Sequence, residues 1–369
     1  MKILHVINSL AAGGAERLLA TLLPRFVSRG ASVSLLVLDA RGDAFSAGLA
    51  AGGVDVRFAR AEGANVYSPA RIRDIAGAIR LFSPHIVHAH LAPSFHWCAL
   101  ACGRRRPGGA RLVATEHAMK NRRMSLPILS RLERSAYGRY DRIICVSGEV
   151  ARAVSGWLGM DAGNFPVIQN GIELGGDAMG ELRADAAIRQ WKDGRFLVAM
   201  TARFVEAKDH ATALSVLAAL PDSFAMAFAG DGPLLSAMRQ EVIRLGLESR
   251  AWFAGTVTDI GSFLASANAY LQPSRDEGFG IAVLEAMAAG LPVVASDVGG
   301  LKTLVGGAGT LVTPGDVDGF SLALRKLADD AALRAKSIAR GKARSRLYDI
   351  EESVDWYMEL YDSVLGAAE

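Results

Sequence analysis

The sequence predicts an α/β protein made of two doubly wound domains, each a parallel sheet with helices on both faces. Its 369 residues exceed one ordinary domain and suit two domains of roughly 100–200 residues each. Short apolar runs alternate with helical stretches, which is the order expected of strands and crossover helices. The alternation stops over residues 173–194, a glycine-rich segment that we expect to be the linker, and then starts again.

The first half, residues 1–172, contains short apolar runs that predict buried strands. These are residues 2–7, 32–38, 86–89, 111–115, 142–146 and 167–169. Helical periodicity falls between them, at residues 15–28, 69–82, 94–103 and 148–157. The first run is too short for the apolar core of a signal peptide and leads into a glycine turn, so a first strand is predicted.

The second half, residues 195–350, repeats this architecture without repeating the sequence. Strands are predicted at 196–201, 224–229, 251–254, 269–272, 292–296 and 310–312, and helices at 210–220, 233–245, 281–289 and 317–329. A last helix at 351–366 has Val354, Tyr357, Met358, Tyr361 and Leu365 on one face. We expect the segment 351–369 to return to the first domain. Ligands should bind at the carboxyl ends of the strands, where the two domains face each other.

The segment SRDEGFGIAVLEAMAAGLPVVAS, residues 274–296, carries the most specific functional signal. Glu277 lies in the loop after a predicted strand, and a helix should begin near Ile281. The backbone N–H groups of residues 279–282 would then form an anion site at the helix N-terminus. Glu285 lies about one turn inside the helix. One carboxylate can therefore reach a sugar while the other accepts hydrogen bonds from ribose hydroxyls.

This segment resembles the signature of glycosyltransferase family 4, a group of retaining, nucleotide-sugar-dependent enzymes with the GT-B fold. The resemblance rests on the glutamate pair, on the loop formed by Gly278, Phe279 and Gly280, and on the continuation EAMAAGLPVVAS. It implies two facing Rossmann-like domains and transfer of a glycosyl group from a nucleoside diphosphate sugar to a hydroxyl of a glycan acceptor. It assigns Glu277 to the donor sugar and Glu285 to the ribose. The glycine loop and Ile281 are assigned to donor binding.

Two cations follow the first strand of the second half. Arg203 and Lys208 lie just past residues 196–201, where an arginine and a lysine can clamp a diphosphate. An isolated pair at this spacing is also common on surfaces. The resemblance implies that both hold the diphosphate and stabilise it as the leaving group. The turn at residues 230–233 resembles the family's G-x-G-P turn, although a plain turn before a helix explains it equally well.

In the first half, Gly13 and Gly14 open a helix directly after the first strand, which lets the backbone approach a phosphate closely. A turn without a ligand explains the pair about as well, and the pattern is not the G-x-G-x-x-G of dinucleotide-binding proteins. The resemblance implies that this loop closes over the donor phosphates. It also implies that His117, after the strand at 111–115, lies beside the reacting sugar; a capping or solvent-facing histidine is the alternative.

No metal and no cofactor are expected. His88 and His90 lie on one face of a strand without a third ligand at a recognisable spacing, which favours packing over metal binding. Asp316 and Asp318 match the metal-binding D-x-D motif of the other common glycosyltransferase architecture, but helix capping explains them better. The three cysteines match no zinc spacing and should be free, buried thiols.

Charge is distributed unevenly. Residues 1–170 hold 22 Lys and Arg against 11 Asp and Glu, and the remainder holds 19 against 27. The excess is concentrated at residues 101–142, including residues 104–106 and the pair Arg122 and Arg123 beside the apolar residues 124 and 126–129. This pattern indicates a phosphate-bearing partner or an anionic membrane surface, with a solvated basic face as the alternative.

From this charge we expect a lipid-linked acceptor, such as a polyprenyl-diphosphate oligosaccharide, in cell-surface polysaccharide or glycoconjugate biosynthesis. A water-soluble acceptor whose phosphates use the same patch is the alternative. The protein is expected in the cytoplasm, in peripheral contact with the inner face of the membrane, and no nucleic-acid partner is expected. The stretch 84–103 has no Lys, Arg, Asp or Glu, but it contains four histidines and two prolines, which makes it a poor membrane-spanning helix.

Three other functions suit the same architecture. A nucleotide-sugar epimerase is disfavoured by the segment around Glu277 and Glu285. A glycogen-phosphorylase-like enzyme would need a lysine site for pyridoxal phosphate and a longer chain. A non-catalytic sugar-nucleotide-binding subunit is disfavoured because Arg203, Lys208 and His117 are all present together with the two glutamates.

Overall fold

The computed structural model describes residues 1–11, 13–60, 65–103, 109–119, 124, 129–174 and 185–366. These residues form two parallel six-stranded sheets with helices between the strands. The chain divides into unit 1, Met1–Gly171 with Ile350–Glu369, and unit 2, Ile172–Asp349. The doubly wound α/β class predicted from the sequence is confirmed.

The sheet of unit 1 has the strand order β3-β2-β1-β4-β5-β6. Its strands are β1 Lys2–Ser9, β2 Ser32–Asp39, β3 Asp55–Phe58, β4 Ile86–His90, β5 Arg111–Glu116 and β6 Arg142–Cys145. Its helices are α1 Gly14–Ser28, α2 Ser46–Ala51, α3 Ala70–Phe82, α4 Ser94–Cys102, α5 Leu129–Tyr137 and α6 Gly148–Leu158. The order reverses between β1 and β4, so the topological switch point of this sheet lies between their carboxyl ends.

The sheet of unit 2 has the order β12-β11-β10-β7-β8-β9. Its strands are β7 Phe196–Thr201, β8 Phe224–Ala229, β9 Ala251–Gly255, β10 Ala269–Gln272, β11 Val293–Ser296 and β12 Thr310–Val312. The helices are α7 Ala186–Lys192, α8 His210–Ala219, α9 Leu235–Arg244, α10 Ile260–Ala265, α11 Ile281–Ala288, α12 Gly299–Val305, α13 Val317–Asp329 and α14 Ala331–Ser345. Here the order reverses between β7 and β10.

The last helix, α15 Ile350–Gly366, packs on α1 of unit 1. Its Tyr357 and Tyr361 rings meet Phe26 edge-on at centroid distances of 6.1 and 5.8 Å. All three rings are buried, and burying an aromatic side chain of this size stabilises by roughly 1.5–3 kcal/mol. Glu351 lies 2.7 Å from both Arg25 and Arg29 at the rim, where exposed ion pairs contribute about 0–1 kcal/mol. The buried apolar contacts therefore contribute more to holding the helix in place than these ion pairs do.

Residues 167–169 and the expected linker are among the segments that differ from the sequence predictions. Residues 167–169 form no strand: Val167 makes a single bridge to Cys145, since Pro166 at its start has no N–H for a ladder. Within the expected linker 173–194, residues 175–184 lie outside the described part, but α7 is an ordered helix. Asp185 caps it and its own N–H donates to Ser266 Oγ at 2.9 Å, so this portion is fastened to unit 2.

Among the described residues, no helix combines the length and the apolar character that crossing a membrane requires.

Candidate active site

The predicted donor residues of unit 2 lie on loops at the carboxyl edge of its sheet, where β7 and β10 part. Registered pairing between these strands is limited to Val198 with Ala269 and Ala199 with Tyr270, whereas β7 and β8 pair over their full length. The two strands therefore separate towards their carboxyl ends. A crevice of this kind at a switch point is where doubly wound sheets bind ligands.

Two ion pairs and a backbone hydrogen bond join the loops that leave β7 and β10. Lys208 Nζ donates to the Glu277 carboxylate, and only 23% and 16% of these side chains are exposed. Arg275 donates from its backbone N–H to the Ala207 carbonyl at 2.9 Å and from its guanidinium to Asp209 at 2.8 Å. Lys208 and Glu277 were predicted separately, and the structure brings them into direct contact.

Asp209 anchors the β7 loop to the helix that follows. Its carboxylate caps α8, accepting from the backbone N–H and from Oγ1 of Thr212. Burial acts to raise the pKa of Asp209, but the hydrogen bonds from Arg275 and Thr212 outweigh it and lower that pKa overall. The sequence carried no signal for Arg275, because its partner is 66 residues away.

The glycine loop before α11 is fixed by close backbone packing. The helix begins at Ile281, as predicted, and Gly280 caps it with a φ of +102°, a conformation that glycine adopts without strain. Gly300, in the first turn of α12, donates to the Glu277 carbonyl at 2.9 Å. A Cβ at Gly300 would lie 2.5 Å from the carbonyl oxygen of residue 278. The missing side chain thus lets α12 support the loop that presents Glu277.

Glu285 lies one turn into α11 and is half-buried. Both glutamates of the sequence signature are therefore presented by one loop and the helix it opens, at the strand end where the sequence placed them. The N–H groups of the first helical turn lie on the same segment, and four such groups have no partner inside a helix.

Arg203 leaves β7 beside the turn that follows β8. A Cβ at Gly230 would lie 2.1 Å from the Ala202 carbonyl oxygen, and Phe204 N–H donates to the Asp231 carbonyl at 3.0 Å. The turn that resembles G-x-G-P thus packs backbone to backbone against the segment carrying Arg203. The Arg203 side chain is exposed, and within the described ranges no hydrogen bond or ion pair engages its guanidinium. It is available to an anion.

In unit 1, the N-terminus of α1 is compatible with both interpretations of the glycine pair, a loop that approaches a phosphate and a turn without a ligand. The helix begins at Gly14, and Gly13 caps it in an extended conformation that any residue can adopt. A Cβ at Gly13 would lie 2.4 Å from Oε2 of the buried Glu16. Gly13 therefore makes room for a carboxylate that complements the positive end of the helix. This explains the glycine without a phosphate, while the N–H groups remain oriented as an anion site.

His117 directly follows β5, as predicted. The residue is half-buried, but its Nε2 is shielded from solvent and has no hydrogen-bond partner among the described residues. Burial lowers the pKa of His117 to about 4, so the imidazole is neutral near pH 7. A neutral imidazole can donate or accept a hydrogen bond, which suits contact with a hydroxyl.

The structure adds a third histidine to His88 and His90. His5, from β1, has its Nδ1 3.0 Å from His90 Nε2, and one ligand nitrogen of each of the three lies within 4.8 Å of the others. Both nitrogens of His88 already bond hydroxyls, of Tyr361 at 2.6 Å and of Thr115 at 2.8 Å. Burial lowers the pKa of all three histidines. They form a neutral, hydrogen-bonded cluster in which His88 has no nitrogen left for a metal.

Two other interpretations can be compared with the structure. Asp316 caps α13 by accepting from the Gly319 N–H at 2.9 Å, so the capping interpretation of the D-x-D motif is confirmed. Cys98, Cys102 and Cys145 are free and buried, as expected. The basic residues 104–106, the pair Arg122 and Arg123, and the apolar residues 126–128 lie outside the described ranges.

Comparison with known proteins places these features in a family. A family model described as "Glycosyltransferase Family 4" matches residues 12–175, and one described as "Glycosyl transferases group 1" matches residues 183–344. The chain is 31% identical to the phosphatidyl-myo-inositol mannosyltransferase of Mycolicibacterium smegmatis over 82% of its length and 77% of that protein. It is 34% identical to the lipopolysaccharide core biosynthesis mannosyltransferase LpsB of Rhizobium meliloti over 35% of its length and 38% of that protein.

Solved structures share the fold of the whole chain. Anabaena Alr3699/HepE in complex with UDP-glucose matches with a TM-score of 0.84 at 22% identity, covering 98% of this chain and 100% of that one. WaaG, a glycosyltransferase involved in lipopolysaccharide biosynthesis, matches with a TM-score of 0.72 at 16% identity, covering 98% and 99%. The GT-B fold expected from the sequence is confirmed.

Proposed function

Because the chain belongs to glycosyltransferase family 4, a family of retaining, nucleotide-sugar-dependent enzymes, we propose that it transfers a sugar to a hydroxyl of a lipid-linked glycan. In this proposal the donor diphosphate binds where β7 and β10 part. The observation that supports this site is the ion pair between Lys208 and Glu277. It keeps a cation for the diphosphate and a carboxylate for the sugar side by side, largely out of water.

The donor replaces this ion pair with two separate interactions. A diphosphate oxygen takes the place of Glu277 as the partner of Lys208, and Arg203 turns in from solvent to bind the same group. Glu277 is then free to accept hydrogen bonds from sugar hydroxyls, and Glu285 accepts from the ribose. As the glycosidic bond breaks, negative charge grows on the diphosphate. The two cations and the N-terminus of α11 stabilise that charge.

Retention follows from departure and attack on the same face of the sugar. The bond between the anomeric carbon and the diphosphate oxygen breaks to give a short-lived oxocarbenium-like ion pair, and the acceptor oxygen then bonds to that carbon. A phosphate oxygen of the leaving group takes the acceptor proton, so no protein base is needed. His117 is assigned to the sugar, and Gly13 and Gly14 to the phosphates, from the family resemblance alone.

The acceptor is assigned from charge and from the relatives. Residues 1–170 carry 22 basic against 11 acidic residues, and each cation near an anionic leaflet contributes about 1 kcal/mol at low salt. One relative is named for phosphatidyl-myo-inositol and another for the lipopolysaccharide core, both lipid-anchored molecules. We therefore favour an acceptor presented at the membrane surface over a small soluble sugar, and a cytoplasmic protein in peripheral contact with that surface.

The identity of the donor is tested by calorimetry with UDP-, GDP- and ADP-sugars. Transfer activity is then tested by assays of nucleoside diphosphate release. One base should bind clearly more tightly than the others, and release should accelerate when acceptor is added. Binding without release would indicate a non-catalytic subunit. Isomerisation of the sugar without release would indicate an epimerase.

The membrane assignment is tested by sedimentation with vesicles of neutral or anionic lipid. Binding should rise with anionic lipid, fall with salt and drop when Arg122 and Arg123 are both changed to serine. The matched control changes Lys336 and Arg340, two exposed cations on α14, to serine and should bind as wild type does. Equal recovery in the supernatant with both vesicle types at low salt would refute membrane contact.

A further inference from the structure

The phenol of Tyr270 lies at the point where β7 and β10 separate. Its oxygen is 3.2 Å from the backbone nitrogen of Thr201, 2.9 Å from Thr201 Oγ1 and 2.9 Å from Gln272 Oε1; the Thr201 carbonyl oxygen is also 3.2 Å away. All three residues are buried. A phenol donates one hydrogen bond and accepts others. Gln272 Oε1 is the nearer of its two acceptors, so this hydroxyl donates to Gln272 and accepts from both donors of Thr201.

The Tyr270 hydroxyl takes the place of a backbone acceptor beyond the last registered pair of β7 and β10. Registered pairing between the two strands ends at Ala199 with Tyr270, two residues before Thr201. The N–H of Thr201 therefore donates to a side chain of β10 instead of to its backbone. Buried backbone N–H groups are almost always paired, and here the pairing depends on one oxygen atom. That atom bridges the two strands without closing the crevice between them.

The bridge continues towards the loop that carries Glu277. Gln272 Nε2 donates to Ser274 Oγ at 2.8 Å, and both side chains are buried. Ser274 lies three residues before Glu277, while Thr201 lies two residues before Arg203. A continuous line of buried hydrogen bonds thus joins the bases of the two loops.

The surroundings keep this phenol protonated. Burial raises the pKa of Tyr270, the hydrogen bonds from Thr201 lower it in part, and the negative charges of Glu285 and Glu277 raise it again. The hydroxyl therefore keeps its proton for Gln272 across the pH range in which the protein works. The same charges show that the phenol lies within electrostatic reach of both glutamates.

We propose that Tyr270 is a positioning residue, whose hydroxyl sets the separation of the loops carrying Lys208 and Glu277. This inference rests on the proposed donor site. The two side chains come from the separate loops that follow β7 and β10 and act on the leaving diphosphate and on the sugar, so their separation matters most while the glycosidic bond breaks. Nucleotide binding depends on Glu285 and on the N–H groups of α11, which both belong to the segment that follows β10. The hydroxyl therefore affects turnover more than nucleotide binding.

The test compares Tyr270→Phe with wild type, because phenylalanine keeps the ring and removes only the oxygen. We expect kcat to fall about tenfold or more, since misplacing catalytic groups by about 1 Å can reduce rates about 100-fold. The Kd for the nucleoside diphosphate and the KM for the donor should change by less than about threefold. Gln272→Met keeps the bonds to Thr201 but breaks the line to Ser274, and should give a smaller loss of kcat.

Val242→Ala is the matched control for lost stability. Val242 is buried near the end of α9 that returns to the amino edge of the sheet, so its truncation should lower Tm and leave kcat unchanged. A kcat of Tyr270→Phe within twofold of wild type would overturn the inference, as would an equal loss of kcat in Val242→Ala. If Tyr270→Phe does not fold, an unchanged kcat in Gln272→Met overturns it. Absence of turnover by wild type overturns the proposed function and this inference with it.

Discussion

Replacing Lys208 with alanine should remove most of the turnover. The Lys208 ammonium contacts Glu277 directly and is about three-quarters shielded from solvent. Its position is therefore fixed before the donor arrives, and little reorganisation is needed when charge develops on the diphosphate. A preorganised charge of this kind contributes more than a solvated one.

Two estimates of the loss agree. Opposite unit charges 4 Å apart attract by about 4 kcal/mol at an effective dielectric constant of about 20. Removal of one preorganised electrostatic partner in other enzymes costs about 2.7–4 kcal/mol. Since about 1.4 kcal/mol corresponds to a tenfold change in rate, kcat should fall about 10²–10³-fold. Arg203→Ala should also lower kcat, but by less than Lys208→Ala, because the Arg203 side chain starts in water.

The assay is nucleoside diphosphate release under saturating donor and acceptor, with single-turnover measurements to isolate the chemical step. Lys336→Ala, which removes an exposed lysine on α14, is the control and should keep full activity. The double variant Lys208→Ala, Glu277→Gln should lose less than the product of the two single losses, because residues in contact are not additive. Activity of Lys208→Ala within twofold of wild type would refute the assignment.

Three further results are expected. Glu285→Ala should weaken binding of nucleotide and nucleotide sugar alike, whereas Glu277→Ala should spare the free nucleotide; calorimetry that finds unchanged nucleotide binding by Glu285→Ala would contradict the ribose assignment. Gly300→Ala places a Cβ 2.5 Å from a backbone carbonyl oxygen in the glycine loop, which costs about 1–3 kcal/mol of strain. Because the loop that presents Glu277 must then shift, kcat should fall. An unchanged kcat would show that the loop can shift freely. Burial lowers the pKa of His5 to about 3, so acidification from pH 7.5 to 5 protonates this residue only in the unfolded chain. The free energy of unfolding should therefore fall by about 2 kcal/mol on account of His5. Urea titrations should show a shallower pH dependence of that free energy for His5→Phe than for wild type, and an identical pH dependence would contradict a neutral His5.

Strand bounds in unit 2 were predicted closely where strands are fully buried. The run Phe224–Ala229 is apolar throughout, and Phe196–Thr201 is apolar up to its last residue, because both faces of a parallel sheet are covered. The edge strand Asp55–Phe58 was missed because its DVRF sequence is half-exposed and short. Helix α7 was missed because only one of its residues, Ile188, is buried, which is too few to show a helical period. Short elements at sheet edges contain too few apolar residues to establish a period.

The candidate site was predictable as separate pieces and not as an arrangement. Glu277 and Lys208 each carry a local signal after a strand, but they are 69 residues apart in the chain, and their contact depends on β7 and β10 being neighbours. The same limit applies to His5, which joins a histidine pair more than 80 residues away through the pairing of β1 with β4. Strand order is a property of the whole sheet, so contacts across a switch point do not follow from local spacing.

The charges at the crevice account for a preference that the site should show between ligands. Lys208 is neutralised by Glu277, and Asp209 by Arg275, which leaves Arg203 as the uncompensated cation of the described loops at β7 and β10. A free nucleoside diphosphate that draws Lys208 away leaves Glu277 partly buried without a partner, and an unpaired, partly buried carboxylate is unfavourable. A nucleotide sugar supplies hydroxyls to that carboxylate at the same moment. The ion pair therefore favours the intact donor over the product that must leave.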